Sequence, residues 1–244
     1  MSLLGALLPG RVRWAEDTHE SAPVWLFPEE EALMARAVPG RRREFAAARL
    51  CAHRALAALG VAAAPLLRGR RGAPAWPGGT VGSITHCAGY RGAAVARSAR
   101  FLALGIDAEP HAPLPSGVRE AVAFGPEEPR LRELAARRPD IAWDRLLFSA
   151  KESVYKAWSG YGGGRLGFED AEVYPCPCPY PRAAGRFLAR LLVDPGTTSS
   201  ARPYPLPRVL HGRWLVREGL VLTAVAVPRP VPPPPYRTAP KEHP

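Results

Sequence analysis

A helix pattern followed by several short strand patterns occurs twice along this chain, and this order restricts the fold classes open to it. Residues 41–60 carry apolar side chains at helical spacing and end on Gly60, a common helix C-terminal residue. Residues 143–158 form a second, strongly amphipathic helix pattern. Strands are predicted at 81–85, 92–96 and 101–108 after the first helix, and at 171–174, 187–193, 211–216 and 220–227 after the second. The order favours an α+β fold of two similar lobes.

A proline-broken connector at residues 111–115 marks the expected boundary between the lobes. We therefore expect an N-terminal lobe over 1–110 and a C-terminal lobe over 111–228. Residues 175–185 and 194–208 are expected to be irregular inserts, and the proline-dense segment 229–244 is expected to be disordered. The first insert carries Cys176 and Cys178, which lack the second ligand pair of a zinc site.

The chain has 244 residues, 33 Lys and Arg against 22 Asp and Glu, and a net charge of +11. Such a balance favours a polyanionic partner: nucleic acid, an anionic membrane, a phosphorylated small molecule or an acidic protein. The apolar run at residues 3–8 lacks the flanks of a signal peptide, and no stretch reaches the length of a membrane span. Four cysteines are too few for a disulfide scaffold, so a reduced, cytoplasmic protein is expected.

Two acidic residues, Asp107 and Glu109, end an apolar strand pattern. Residues two apart on a strand face the same side, so these carboxylates lie together and repel each other. A divalent cation such as Mg²⁺, which binds one or two carboxylates plus water and phosphate, would relieve that repulsion. The competing interpretation is a solvated strand end with two surface acids.

Glu152 and Lys156 stand four residues apart in the second helix pattern and therefore share one face. A plainer interpretation is also open, because Ser149 and Glu152 match the spacing of a capping box at a helix start. The apolar periodicity already begins at Leu146, which argues against a new helix start at Ser149.

The segment from Val81 to Tyr90 places Ser83, Thr85 and His86 among small residues near a strand end. Hydroxyls and an imidazole at such a place suit a phosphate, although His86 is also open to a purely structural role. A His86–Cys87 catalytic pair is disfavoured, because adjacent residues of an extended chain point to opposite faces.

Arginines cluster in and after the first helix pattern. They are Arg41, Arg42, Arg43, Arg49, Arg68, Arg70 and Arg71. Guanidinium groups suit bidentate phosphate binding, but any single arginine is more typical of a solvated basic surface. The chain has neither a Walker A loop nor a dinucleotide-binding glycine fingerprint.

Taken together, these motifs resemble the 4'-phosphopantetheinyl transferases, in the monomeric two-lobed branch that serves siderophore, nonribosomal peptide and polyketide synthases. The resemblance is carried by residues 82–87, 105–109 and 148–158, with 166–170 and 212–216 similar to the enterobactin-type subgroup. It implies two similar α/β lobes with the active site at their interface. It also implies transfer of phosphopantetheine from coenzyme A to a serine of an acyl or peptidyl carrier protein, with release of 3',5'-ADP.

The resemblance assigns roles to residues of this chain. Asp107, Glu109 and Glu152 would hold Mg²⁺, with Mn²⁺ as an alternative, while Glu152 as general base and Lys156 would be catalytic. The coenzyme A phosphates would be contacted by Arg41, Arg49, Arg71, Ser83, Thr85, His86, Lys151 and Lys156. Carrier proteins, which are acidic helical bundles, would be the protein partners of a monomeric enzyme that binds neither nucleic acid nor membranes.

The chain departs from the family pattern at residues 159–162, at the insert around Cys176 and in the proline-rich tail. Two other functions stay open at this point. A basic nucleic-acid-binding protein would explain the charge but not the acids, and a magnesium-dependent nucleotide phosphohydrolase would use the same acids without a protein acceptor.

Overall fold

The computed structural model describes residues 2–18, 25–69, 72–178, 183–195 and 204–230. Five helices lie within these ranges: α1 (Leu3–Leu7), α2 (Pro28–Ala32), α3 (Pro39–Ala58), α4 (Glu127–Arg137) and α5 (Trp143–Tyr161). The strands are β1 (Arg13–Asp17), β2 (Thr80–Cys87), β3 (Tyr90–Arg97), β4 (Phe101–Pro110), β5 (Ala171–Pro177), β6 (Ala184–Leu191), β7 (Val209–Arg217) and β8 (Leu220–Pro228). The α+β class is confirmed.

The strands form two antiparallel sheets. The first has the order β1-β3-β2, and the second has the order β4-β8-β7-β6-β5. Long helix α3 covers one face of the first sheet through residues such as Ala52 and Leu56, and α5 covers one face of the second. Each long helix buries an apolar stripe against a sheet, which is the two-layer solution expected of an amphipathic helix.

Strand β4 belongs to the second sheet, although the expected boundary at residue 110 assigned it to the N-terminal lobe. It pairs with β8 along its length, and its other edge meets β2. There the N–H of Ile106 donates to Ser83 Oγ at 3.0 Å, and the N–H of Ala108 donates to Thr85 Oγ1 at 3.0 Å. Hydroxyl groups of β2 thus satisfy an edge that would otherwise leave buried donors unpaired.

The short helix α1 packs into the core between the two sheets. Leu4 is buried against residues of both sheets, including Tyr90 and Leu222. The carboxylate of Glu16 accepts hydrogen bonds from the backbone N–H groups of Leu3 and Leu4, which caps the helix. The leucines of the apolar run at residues 3–8 are therefore buried in the core. No helix among the described residues is long and apolar enough to span a membrane.

The expected inserts are partly structured. Strand β5 continues through Cys176 to Pro177 and β6 begins at Ala184, so ladder pairing covers part of a segment expected to be irregular. The remainder of that insert at 179–182 lies outside the described residues, as do 196–203 and most of the proline-rich tail, 231–244.

Candidate active site

Asp107 and Glu109 of β4 both face α5, as their spacing predicts. Asp107 is 4% exposed, and its Oδ1 accepts hydrogen bonds from Lys156 Nζ at 2.7 Å and from Thr85 Oγ1 at 3.3 Å. Its second oxygen, Oδ2, is buried without a hydrogen-bond partner among the described residues. A buried carboxylate oxygen with no partner is costly, so this atom is open to a cation or a donor.

Gly105 allows β4 and α5 to approach closely. A Cβ at this position would lie 1.8 Å from the backbone oxygen of Ser153, a distance that no side chain tolerates. The close approach lets Lys156 Nζ reach the backbone oxygen of Ile106 at 3.1 Å as well as Asp107. The glycine at the start of the acidic motif therefore sets the distance between the two motifs of the site.

Three carboxylates contribute negative charge to the same place. Desolvation, followed by repulsion from Asp107, raises the pKa of Glu152 above its ordinary value. Desolvation and then Asp107 also raise the pKa of Glu109, although Arg145 donates to Glu109 Oε2 at 2.9 Å and opposes that shift. The raised pKa values mean that Glu109 and Glu152 are held away from water and beside the charge of Asp107, both of which disfavour their charged forms.

The carboxylates suit a hard divalent cation in their chemistry. Oxygen ligands are those that Mg²⁺ prefers, and Asp107 Oδ2 lacks any other partner in the described chain. Within the described ranges, however, no three His, Cys, Asp or Glu side chains stand together as a complete metal site. The protein supplies part of an oxygen ligand set, which is the usual arrangement when substrate phosphate and water complete the coordination.

The capping-box interpretation of Ser149 is wrong. Helix α5 begins at Trp143, so Ser149 lies in its second turn, where its Oγ is 3.0 Å from Thr223 Oγ1 of β8. Glu152 is therefore not needed to cap the helix, and it shares a face of α5 with Lys156 and Arg145.

The hydroxyls of Ser83 and Thr85 lie in the buried junction between β2 and β4 described above. His86 follows them, and its Nε2 is 3.0 Å from the guanidinium of Arg41 on α3. Arginine only donates, so Nε2 accepts and the ring is neutral. Partial desolvation and then Arg41 lower the pKa of the His86 imidazole. An anion placed between Arg41 and His86 would accept from Arg41 and would favour protonation of Nε2, which would then donate as well.

Cys87 shows no sign of nucleophilic activation. Desolvation, followed by repulsion from Glu109 and Asp107, raises the pKa of its thiol to about 12. A thiol in that state is a poor nucleophile at neutral pH, and Cys87 Sγ lies 3.8 Å from the backbone oxygen of Ala88, which agrees with a His86–Cys87 catalytic pair being disfavoured.

The predicted arginines differ in their surroundings. Arg41 is exposed beside His86, whereas Arg49 is 5% exposed and packs over the ring of Phe45. Burial lowers the pKa of Arg49, and the nearby carboxylate of Glu30 opposes that effect; Arg49 Nε itself is buried without a hydrogen-bond partner among described residues. Arg71 lies outside the described residues.

Lys151 points into the core, away from the carboxylates. It is 3% exposed, and its ammonium donates to Glu127 Oε2 at 2.7 Å and to the backbone oxygens of Val122 and Phe168 at 2.8 and 2.7 Å. A lysine has three donors, and all three are used here. This geometry gives Lys151 a structural role rather than a contact with coenzyme A.

Sequence reasoning missed Arg145 and Glu127. Arg145 pairs with Glu109 and also donates to the backbone oxygens of Ala112 and Pro113, which ties the connector to α5. Glu127 is buried with Lys151 and accepts the N–H of Val173 at 2.7 Å. The sequence could have pointed to Arg145, because it lies seven residues before Glu152 and therefore on the same helix face. No local pattern could have identified the pair of Glu127 and Lys151, because these residues lie 24 positions apart.

Comparisons with known proteins agree with the geometry. Residues 29–96 match the 4'-phosphopantetheinyl transferase N-terminal domain, and residues 103–197 match the 4'-phosphopantetheinyl transferase superfamily. The chain is 53% identical to 4'-phosphopantetheinyl transferase Svp of Streptomyces mobaraensis, over 93% of this chain and 90% of that protein. It is 44% identical to 4'-phosphopantetheinyl transferase PptT of Mycobacterium tuberculosis, over 93% and 98% of the two chains.

A more distant relative is enterobactin synthase component D of Salmonella typhi, which is 35% identical over 59% of each chain. The matches cover both the segment that carries His86 and the segment that carries Asp107, Glu109, Glu152 and Lys156. This chain belongs to the 4'-phosphopantetheinyl transferase superfamily and is an enzyme that transfers phosphopantetheine from coenzyme A to a carrier protein.

Proposed function

We propose that the enzyme uses Mg²⁺ to transfer 4'-phosphopantetheine from coenzyme A to a serine of an acyl or peptidyl carrier protein, with release of 3',5'-ADP. The observation that carries the proposal is the cluster of Asp107, Glu109 and Glu152 beside Lys156. Phosphoryl transfer needs neutralised charge and positioned reactants more than covalent catalysis, and this cluster offers both.

Asp107, Glu109 and Glu152 would hold the metal ion, with Asp107 Oδ2 as the oxygen most in need of a partner. Bound there, Mg²⁺ would neutralise charge on the pyrophosphate of coenzyme A, and Mn²⁺ has the same ligand preference for oxygen. Lys156 already neutralises Asp107 Oδ1, and its side chain is 26% exposed, so it is within reach of a phosphate on the open side.

Glu152 is the proposed general base. The serine oxygen forms a bond to the phosphorus that carries the pantetheine arm, the bond from that phosphorus to the bridging oxygen breaks, and the serine proton passes to Glu152 directly or through a water. A carboxylate with a raised pKa is a better proton acceptor than an ordinary one, and the pKa of Glu152 is raised by desolvation and by Asp107.

His86 and Arg41 are the proposed contacts of the 3'-phosphate. Their side chains meet at 3.0 Å, and both are exposed to solvent, so a phosphate can reach them without rearrangement. Arg49 stays a proposed phosphate contact because its buried Nε has no hydrogen-bond partner among the described residues, and Arg71 also stays proposed. The hydroxyls of Ser83 and Thr85 are already used at the junction of β2 and β4, where they fix the position of His86 at the strand end.

We infer that the two halves of the chain are similar lobes and that the active site lies at their interface. Glu30 and Glu127 support the similarity. The Oε2 atom of each glutamate accepts a hydrogen bond from the backbone N–H three positions earlier in the chain. The Oε1 atom accepts from a distant backbone N–H, which is that of Leu66 for Glu30 and that of Val173 for Glu127. Each also meets a basic residue of the long helix that follows, Arg49 and His53 in one half and Lys151 in the other.

The site residues are contributed by both halves, since His86 and Arg41 lie on β2 and α3 and the carboxylates on β4 and α5. We expect the enzyme to act as a monomer in the cytoplasm on acidic carrier proteins of siderophore, polyketide or nonribosomal peptide synthesis. The net charge of +11 supports an acidic protein partner.

One experiment tests the proposal. The protein is incubated with coenzyme A, an apo carrier protein and either Mg²⁺ or a chelator, and the carrier is weighed by mass spectrometry. We expect the phosphopantetheine mass to appear on the carrier serine only with the metal, together with 3',5'-ADP. Consumption of coenzyme A without a carrier would instead indicate hydrolysis, and full transfer in chelator would contradict the metal role.

A further inference from the structure

A cavity of about 450 Å³ lies on the face of the second sheet that is turned away from α5. Its floor is formed by β6, β7 and β8, and the end of α1 forms one wall. The neighbouring side chains on the opposite face of the same strands, Phe187 and Trp214, pack in the core below α5. The cavity is therefore separate from the carboxylate site, which lies on the α5 side of β4.

The side chains of this cavity come from two adjacent cross-strand rows. In one row Arg186 of β6 is directly opposite Arg213 of β7, which in turn is opposite Ala224 of β8. In the next row Leu188 is opposite His211. Residues in register on one face of an antiparallel sheet have neighbouring side chains, so Arg186 and Arg213 start side by side on the sheet, and both line the cavity.

The arrangement of Arg186 and Arg213 is electrostatically unfavourable in the isolated protein. Like charges directly opposite each other on a sheet are destabilising. Neither guanidinium forms an ion pair with any carboxylate in the part of the chain that the structure describes, and the cavity lining contains no Asp or Glu. Both side chains are exposed at the cavity, and His211 beside them supplies a further polar group.

Apart from the free thiol of Cys176 and the backbone of Gly212, the rest of the lining is apolar. Leu7 and Pro9 at the end of α1 form the wall, and the side chains of Ala224 and Ala226 on β8 are small enough to leave room for the cavity. Leu188 borders the cavity and is 38% exposed. A concave apolar surface of this volume with a few convergent cationic groups is typical of a small-molecule site.

We propose that this cavity binds a small amphipathic anion, with its carboxylate or phosphate group on Arg186 and Arg213 and its apolar body against Leu7, Pro9 and Ala224. The paired guanidinium groups supply bidentate donors for a planar or tetrahedral oxyanion. The apolar wall removes the hydrocarbon part of such a ligand from water, a gain in binding free energy that a simple inorganic anion cannot have. The bound anion also relieves the repulsion between the two arginines.

Isothermal titration calorimetry with octanoate tests the proposal, on the full chain with coenzyme A at saturation so that the transferase site is filled. Octyl phosphate is a second probe with the same combination of an anionic group and an apolar chain. Octanol has only the apolar chain, and inorganic phosphate has only the anionic group. We expect saturable binding of both amphipathic anions and at least about tenfold weaker binding of octanol and phosphate, from the loss of charge-assisted contacts or of apolar burial.

The double variant Arg186→Gln/Arg213→Gln should bind octanoate at least about tenfold more weakly. Arg217→Gln is the matched control, because it removes an exposed arginine from the same strand β7 outside the cavity lining. Both variants should keep phosphopantetheine transfer, which makes failure here distinguishable from failure of the proposed function. Binding of octanoate that survives the double variant, or octanol binding as strong as that of octanoate, would overturn the proposal.

Discussion

Lys156 Nζ lies 2.7 Å from Asp107 Oδ1, and this ion pair joins the helix motif to the strand motif. The pair leaves Asp107 Oδ2 without a partner among the described residues while Glu109 and Glu152 add further negative charge. Lys156 on Asp107 and Arg145 on Glu109 are thus two cations beside three carboxylates. The imbalance of charge is what a metal ion and a substrate pyrophosphate together would resolve.

Asp107→Asn tests this arrangement with little change of shape. The amide oxygen can still accept from Lys156, but the charge that would hold the metal is lost. We expect at least about a hundredfold loss of kcat/KM and a higher Mg²⁺ requirement, measured by transfer to a carrier protein across a metal titration. Glu133→Gln, a half-exposed acid on α4, is the control and should leave both quantities unchanged. Near-normal activity of Asp107→Asn would remove Asp107 from the site.

Glu152→Gln should separate activity from stability. Desolvation and Asp107 raise the pKa of Glu152, so its charged form is disfavoured in the folded protein. A carboxyl group whose pKa is higher in the folded than in the unfolded protein contributes stability that is fully present below its ordinary pKa and is lost as pH rises through the raised pKa of the folded protein. At pH 7 the charge is therefore destabilising, and Glu152→Gln should raise Tm while abolishing transfer.

The pH dependence supplies the check. The gain in Tm of Glu152→Gln should shrink as pH falls through the raised pKa and should be gone below the ordinary glutamate value, where both proteins carry a neutral group. The wild-type transfer rate should fall at low pH, because a neutral Glu152 can neither accept a proton nor help to hold the metal. A variant that is less stable than wild type at pH 7 would show that Glu152 is held by favourable contacts instead.

Much of the fold could be predicted because its main elements have strong local patterns. The periodicity of α5 located its helix from Trp143, and alternating or continuous apolar runs located strands β2 to β8 to within a few residues. Strand β1 and helix α1 were not predicted. Both are five residues long, and α1 is stabilised by tertiary contacts, including those from Glu16, that no local pattern encodes.

The site could be predicted where spacing alone fixes the geometry. Asp107 and Glu109 share a strand face, and Glu152 and Lys156 share a helix face, whatever the tertiary structure. The role of Lys151 could not be predicted in this way, because it depends on which side of α5 is buried and on the distant partner Glu127. The assignment of β4 to the second sheet was missed for the same reason, since strand partners are set by long-range pairing.

Lys151→Met tests the structural role of the buried Lys151–Glu127 pair. Removing one partner of a buried ion pair leaves an uncompensated charge, which typically costs about 3–5 kcal/mol. We expect a loss of that size in the free energy of unfolding, measured by urea denaturation, with little change in the Kd for coenzyme A of the folded protein. The double variant Lys151→Met/Glu127→Gln should recover part of the loss. A large rise in Kd at unchanged stability would instead restore Lys151 as a coenzyme A contact.

His86→Ala should weaken coenzyme A binding by about tenfold to a hundredfold, the effect of losing a charge-assisted hydrogen bond. Binding of dephospho-coenzyme A, which lacks the 3'-phosphate, should change little. Partial desolvation and Arg41 lower the pKa of His86 in the free enzyme, so the ring is neutral at pH 7. A bound phosphate favours the protonated ring and raises that pKa.

Coenzyme A binding should therefore take up a proton and weaken as pH rises through the pKa of His86 in the complex. Calorimetry in buffers of different ionisation enthalpy measures that proton directly, and His86→Ala should lose it. Cys87→Ser on the same strand is the control and should keep the proton uptake. If His86→Ala still prefers coenzyme A over dephospho-coenzyme A by the wild-type margin, His86 is structural.

The last prediction concerns the net charge of +11 and the carrier protein. Encounter between a basic enzyme and an acidic helical bundle is steered by long-range attraction, and about 0.5 M salt shortens the screening length to a few ångströms. The KM for the carrier should then rise several-fold while kcat changes little, because the steps after docking do not depend on long-range attraction. Coenzyme A must be saturating, since its phosphates also respond to salt. A KM for the carrier that stays flat in salt would mean that docking is mainly apolar and that the basic excess serves another anionic partner.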